Sequence, residues 1–411
     1  MTDKEIKKNK VFLRTFGCQM NVRDSEAVRG LLAAEGYGWT EDPREADVVL
    51  FNTCSVRQHA EDKVWSEIGR VARCFPKSQE PTAKSRKRPL IGIIGCMAQN
   101  YKEEIRRRAP QVDVVCGPSE IDNIALYLEE ALRKKGSIVA VQERRRREEM
   151  YHTGFRQEKD HAYVVISEGC DNFCSYCVVP YVRGRLRHRP AQEILKEAGE
   201  AVAAGLTSVT LLGQNVNSYV SEGRGTRPPS AGRGEGRRIS FVELLERAAN
   251  IEGLGSLSFI TCHPKDTKVA LFRLMSRRPK IRPYLHMPFQ AGSDKILRRM
   301  GRGYTARRYL ALVGRYRGLV PNGKLSTDVI VGFPGETEAD FAATRRLMER
   351  VRFDTAYIFK YSPRPHTRAA CLKDDVPMGV KKRRHAELLE LQKSISRIKR
   401  RAEEGGSVGP Q

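Results

Sequence analysis

Apolar runs alternate with amphipathic stretches almost from end to end of this chain, and that alternation limits its fold more than any other feature. "VFLRTF", "ADVVLFNTC", "LIGIIGC" and "VDVVCG" read as strands. Between them, "DSEAVRGLLAAEGY" reads as a helix capped near Asp24 or Ser25 and stopped by Gly36, with further helices around "AEDKVWSEIGRVARCF" and "NYKEEIRRRA". Strands and helices in strict turn imply a mostly parallel sheet with both faces covered. A second series begins near Ala162, with strands "AYVVISEGC", "SVTLLGQN", "SLSFITCHP", "YLHMPFQ", "LSTDVIVGFPGE" and "DTAYIFKYSPRP". Helical patterns such as "AQEILKEAGEAVAAG", "FVELLERAANI" and "EADFAATRRLMERV" fall between them. A complete (β/α) barrel takes about eight such units. Six predict an open, partial (β/α)6 barrel after an N-terminal parallel-sheet α/β domain.

The expected boundaries are a charged tail at 1–10, a first domain at 11–148, a second at 155–386, and a basic helix with tail at 387–411. "RRRR" at residues 144–147 marks a solvated boundary between the domains. Residues 76–89 form a polar, proline-bounded loop, and residues 221–238 a Gly-, Pro-, Ser- and Arg-rich insertion that cannot build a core. Near the end, Leu388, Leu391, Ile395 and Ile398 recur at helical spacing within a basic amphipathic helix.

Lys and Arg number 74 against 49 Asp and Glu, a net charge of +25 that favours a polyanionic partner over a merely solvated surface. "MTDKEIKKNK" has no apolar core for a signal peptide, and no run reaches the length of a membrane span, so the expected location is cytoplasmic. Thiols stay reduced there, so the ten cysteines speak for metal or cluster ligation and core packing rather than disulfides.

Three cysteines, Cys170, Cys174 and Cys177, follow a strand in C-x3-C-x2-C spacing. A short loop of that kind folds three thiolates around one cubic iron–sulfur cluster and leaves one iron open, and an open position marks a catalytic centre. Zinc is the competing reading, with only the distant His188 as a fourth ligand. A second pattern stands in the first domain, where Cys18, Cys54 and Cys96 each come directly after a strand. Carboxyl ends of parallel strands share one sheet edge, so the three converge in space. Strand topology alone leaves Cys116, at the end of "VDVVCG", as a rival.

The spacing of Cys170, Cys174 and Cys177, with Tyr176 before the last cysteine, resembles the radical S-adenosylmethionine (SAM) signature. "RTFGCQMNVRDSE", "NTCSVRQHAEDKVWSEIGR" and "GCMAQ" resemble the cluster-ligating segments of the methylthiotransferase family, in its tRNA-modifying MiaB branch. "CDNFCSYCVVPYVRGR", "LLGQNVNSY", "HMPFQAGSDKILRRMGRGYT", "STDVIVGFPGETEADF" and "FKYSPRP" resemble its radical SAM domain. The resemblance implies two [4Fe–4S] clusters, an auxiliary one on Cys18, Cys54 and Cys96 and a SAM-binding one on Cys170, Cys174 and Cys177. Cys116, Cys74, Cys262 and Cys371 match no family ligand and read as packing or incidental thiols. It also implies SAM as cofactor, tRNA and a reducing electron-donor protein as partners, no membrane, and methylthiolation of the isopentenylated adenosine 3′ of the anticodon.

Around these motifs, Tyr176, Gln214, Gly332 and Gly335 are expected beside the cofactor, and Arg183 and Arg185 at RNA phosphates. No side chain is assigned as a catalytic acid or base; His263 and His286 read as structural histidines. Family members normally continue into a small RNA-binding β-barrel, the TRAM domain, and this chain stops near where it would begin. Leu186, His188, Cys262 and Ala291 depart from the family pattern. A ribosomal-protein methylthiotransferase and a non-catalytic cluster-bearing RNA-binding protein are the alternatives.

Overall fold

The computed structural model describes residues 9–55, 58–74, 88–134, 136–222 and 238–405. The expected tails, the polar loop at 76–89 and the insertion at 221–238 lie wholly or largely outside the described residues. Two compact units emerge. The first holds the residues up to 159 together with 163–165 and 178–185, and the second holds the remainder.

The first unit runs β1 (Lys10–Phe16), α1 (Gln19–Ala34), β2 (Gly38–Trp39), β3 (Val48–Thr53), α2 (Gln58–Cys74), β4 (Leu90–Gly95), α3 (Cys96–Tyr101), α4 (Glu103–Arg108), β5 (Val114–Cys116), α5 (Ile124–Lys134) and β6 (Ile138–Ala140), with α6 (Val179–Val182) added later in the chain. Its six strands form one parallel sheet in the order β2-β1-β3-β4-β5-β6. Every residue of β3 and β4 is buried, as continuous apolar runs in a doubly covered sheet require. Helix α1 starts earlier than its apolar pattern indicates. Cys18 is its N-cap, and Asp24 and Ser25 sit buried inside it. Its expected stop is in place: Gly36 takes φ +81°, and the Tyr37 N–H reaches back to Leu32 O at 3.0 Å.

The arginines at 144–147 are not uniformly solvated. Arg145 and Arg147 are exposed, but Arg146 is buried on Asp24 and Arg144 is half-buried on Asp122. Carboxylates distant in sequence draw these last two guanidiniums inward.

After the first domain come β7 (His161–Val165), whose last three residues cluster with the first unit, and then, in the second unit, β8 (Ser167–Glu168), β9 (Arg187–His188), α7 (Ala191–Ala203), β10 (Ser208–Leu212), β11 (Val220–Glu222), β12 (Arg238–Ser240), α8 (Phe241–Ala249), β13 (Ser256–Phe259), α9 (Val269–Arg277), β14 (Tyr284–His286), α10 (Asp294–Arg299), α11 (Ala306–Leu319), β15 (Lys324–Val331), α12 (Glu338–Val351), β16 (Thr355–Lys360) and α13 (Met378–Gly405). The six barrel strands form two three-stranded sheets, β13-β10-β7 and β14-β15-β16. A bridge from Leu257 to Ile281 joins them, so the sheet curls as the expected open, partial barrel. Helix α13 runs unbroken across residues 386 and 387 and packs on β16 through the buried Leu388 and Ile395.

Candidate active site

Sheet register places the first set of cysteines. Phe16, Thr53 and Gly95 stand in one row across β1, β3 and β4, and the chain leaves that row into Cys18, Cys54 and Cys96. Gly17 lets β1 turn there, because its φ is +151° and a Cβ on it would lie 2.5 Å from Cys54 Cβ. Gly95, at φ +90°, lets β4 turn where a Cβ would stand 2.5 Å from Asn52 Oδ1. The hydrogen bond between Cys54 and Cys18 pulls the Cys18 thiol down to about 6 against its burial, with help from Arg183. Burial pushes the Cys96 thiol up, opposed by the same arginine. The three sulfurs therefore share one electrostatic neighbourhood.

Register also separates Cys116 from this row. It pairs with Ile94, one position before Gly95, and is the last residue of β5 rather than the first beyond it. Its thiol bonds Gly117 O at 3.6 Å, and burial pushes it well above the ordinary thiol range.

A connected polar layer lies beneath the cysteines. Cys18 Sγ donates to Asn21 Oδ1 at 3.3 Å, Asn21 Nδ2 to Asn52 Oδ1 at 3.0 Å, and Asn52 Nδ2 to Ser25 Oγ at 2.9 Å. Asp24 receives Arg146 Nη1 and Arg183 Nη2, each at 2.7 Å. Burial raises the Asp24 carboxyl, and the two guanidiniums outweigh it, leaving the group below its ordinary range. Arg183 Nε donates to Cys96 Sγ at 3.2 Å. Arg183 is thus turned inward, with almost no exposure, and does not face a phosphate as the sequence suggests. Arg185 is exposed.

Cys170, Cys174 and Cys177 lie on the loop after β8, in the second unit. Hydrogen bonds to its backbone shape this loop. Ser175 N donates to Met300 O at 2.8 Å, Ala369 N to Ser175 O at 2.7 Å, and Arg368 Nη2 to Phe173 O at 2.6 Å. Arg302 is buried under it, with Nη1 3.4 Å from Cys174 Sγ and 3.5 Å from the Tyr176 hydroxyl, and Nη2 2.8 Å from Pro288 O. Burial keeps the Tyr176 phenol protonated far above the usual range. Sequence reasoning did not single out Arg302. Its signal was "GRG", two glycines at φ +69° and +68° that wrap the chain around one arginine.

Gln214 is half-buried just beyond β10. Its neighbour Asn215 is structural, bonding Asp266 and the His263 N–H. Gly332 and Gly335, expected beside the cofactor, have their N–H groups taken by Glu336 and Asp375, each at 2.6 Å. His263 is buried, accepts the Lys265 N–H on Nδ1, and is held neutral, with burial dropping its pKa to about 2. His188 packs edge-on against Tyr219. Among the described residues, no three His, Cys, Asp or Glu side chains are placed to hold one metal ion. In a cubic cluster each thiolate binds its own iron, so sulfurs stand further apart than around zinc.

Three cysteines stand at the carboxyl edge of a parallel sheet and three on the loop after β8 beside a partial barrel, and the partial barrel is the fold of radical SAM enzymes. Residues 164–348 match the Radical SAM superfamily, and residues 10–117 match the uncharacterized protein family UPF0004. The chain is 43% identical over 398 residues to a tRNA-2-methylthio-N(6)-dimethylallyladenosine synthase from Syntrophomonas wolfei, covering 96% of this chain and 84% of that protein. It is 42% identical to the synthase of that name from Dictyoglomus thermophilum, over 94% and 83% of the two chains. The chain belongs to the tRNA-2-methylthio-N(6)-dimethylallyladenosine synthase family. Among solved structures, the radical SAM methyltransferase TsrM from Kitasatospora setae, with cobalamin and a [4Fe-4S] cluster bound, superposes with a TM-score of 0.55 at 14% identity over 88% of this chain and 77% of that one, a likeness of fold.

Proposed function

We propose that this chain is a radical SAM methylthiotransferase that adds a methylthio group to the adenine ring of N6-dimethylallyladenosine in tRNA, at the position 3′ of the anticodon. The observation that carries this reading is the pair of thiol triads, each with a buried arginine on one sulfur, in a chain of this family. Cys170, Cys174 and Cys177 would hold the SAM-binding [4Fe–4S] cluster, and Cys18, Cys54 and Cys96 an auxiliary one. When bound, these groups and SAM supply the electron, the radical, the methyl group and the sulfur that ring C–H functionalisation needs.

The protein's own part is alignment and charge. Arg302 ties the cysteine loop to Pro288 and fixes the Cys174 sulfur. Tyr176 stays a neutral phenol and leaves that site's charge to the thiolates. The auxiliary triad fits an anionic group, because the buried Arg183 guanidinium donates to Cys96 Sγ. Arg183 Nη1 is also buried with no hydrogen-bond partner among the described residues.

The +25 charge supports tRNA as substrate, and an electron-donor protein completes the set of partners. No helix among the described residues is long and apolar enough to cross a membrane, and the reading places the enzyme in the cytoplasm. Mass spectrometry of tRNA nucleosides with and without the gene tests this. The methylthiolated nucleoside disappears on deletion, with its unthiolated precursor accumulating; unchanged nucleosides overturn the reading.

A further inference from the structure

Arg183 reaches the auxiliary cysteines from the far side of the sequence, six residues after Cys177. It ends helix α6, whose Val178 and Val182 pack on Cys96 in one small apolar cluster. Its guanidinium is split between two duties. Nη2 pairs with Asp24, which Arg146 also holds, and Nε donates to Cys96 Sγ at 3.2 Å. Arg146, Asp24 and Arg183 are all at most 4% exposed. Arg183 therefore brings a buried guanidinium to the sulfurs, and its Nη1 has no hydrogen-bond partner among the described residues. Asp24 fixes where that charge sits, and the Nε–H fixes which sulfur it meets.

We propose that Arg183 is a positioning residue that sets the reduction potential of the auxiliary cluster through its hydrogen bond to Cys96. This rests on the assignment of Cys18, Cys54 and Cys96 as cluster ligands. Hydrogen bonds and positive charge at a ligating sulfur stabilise the more electron-rich, reduced state. The arginine therefore raises the potential and makes the auxiliary cluster easier to reduce. Arg146 bonds Asp24 and Pro118 O and so anchors the carboxylate that holds Arg183.

The test uses the full chain carrying Ala at Cys170, Cys174 and Cys177, anaerobically reconstituted so that the auxiliary site alone reports. Iron content and an EPR-monitored redox titration are compared for this parent, Arg183→Met, Arg183→Lys and Cys96→Ser. Arg183→Met is expected to make reduction at least tenfold less favourable, a fall of about 59 mV for one electron. Arg183→Lys keeps a charge on Asp24 but loses the Nε–H, so it folds and gives a smaller fall, with loss of an exchangeable proton coupling in ENDOR spectra. If Arg183→Met retains no cluster, Arg183→Lys alone decides. A potential within twofold of the parent's equilibrium in every variant that keeps the cluster, with the proton coupling intact, overturns the proposal. Retention of the cluster in Cys96→Ser instead overturns the ligand assignment on which it rests.

Discussion

Arg302 points Nη1 at Cys174 Sγ from 3.4 Å while Nη2 holds Pro288 O at 2.8 Å, so one buried guanidinium ties the cysteine loop to the segment after β14. Arg302→Met takes the short donor from the buried Pro288 carbonyl and leaves it only the long 3.4 Å bond from the Tyr304 hydroxyl, a cost of about 1–2 kcal/mol. The variant is expected to unfold at lower denaturant concentration and to cleave SAM at least tenfold more slowly. Arg302→Lys restores charge without the forked geometry, and is expected to recover stability more than activity. Denaturant titration and chromatographic assay of SAM cleavage separate the two effects. Wild-type cleavage in Arg302→Met would remove this residue from the site.

The choice between Cys96 and Cys116 rests on a shift of register. Cys96→Ser is expected to lose about half of the roughly eight irons that two cubic clusters hold, and Cys116→Ser to lose none. Iron and sulfide analysis after anaerobic reconstitution checks this. The reverse pattern would mean that the row of Phe16, Thr53 and Gly95 does not define the ligand edge.

That row was legible in the sequence, because apolar runs ending in cysteine need only the topology of parallel strands to converge. The charges around it were not. "RRRR" and "RGRLRHR" read locally as solvated or phosphate-facing, since a sequence window contains no partner for them. The partner of Arg146 and Arg183 is Asp24, more than a hundred residues away. The start of α1 was missed for a related reason. Cys18 and Asn21 cap it, and neither belongs to the apolar pattern from which its start was inferred. In the barrel the six strands were readable, but Glu336 and Asp375, which accept the N–H groups of Gly332 and Gly335, could not be seen to close that turn.

His263 gives a pH dependence of stability with a definite sign. Burial holds its folded pKa near 2, whereas an unfolded histidine takes up a proton near pH 6.5. The unfolded state therefore binds more protons between those values, and stability is fully present above pH 6.5 and lost as pH falls. Between pH 6.5 and 5 the loss is expected to be on the order of 1–2 kcal/mol. Chemical denaturation at the two pH values measures it, and His263→Gln is expected to flatten the slope. An equal slope in the variant would place the titration elsewhere.

Helix α13 divides its basic residues between two tasks, and tRNA affinity separates them. Lys381 is buried, with Nζ on both oxygens of Asp374 at 2.7 and 2.6 Å, and Arg384 is buried on Glu336. These two clamp the turn at Gly332–Glu336 and are not free for phosphate. Lys381→Met is expected to cost about 2–3 kcal/mol, below the range for a fully buried pair because Asp374 is partly exposed. Lys382, Arg397, Arg400 and Arg401 are exposed along the same helix. Replacing these four with Gln is expected to leave stability within about 0.5 kcal/mol of the parent. It is also expected to weaken tRNA binding and to reduce the salt slope by about 1 for each phosphate that is no longer neutralised. Filter binding across a salt series, with denaturation controls, reads both quantities. Affinity and slope unchanged in the fourfold variant would show that the charges of α13 stand only in solvent.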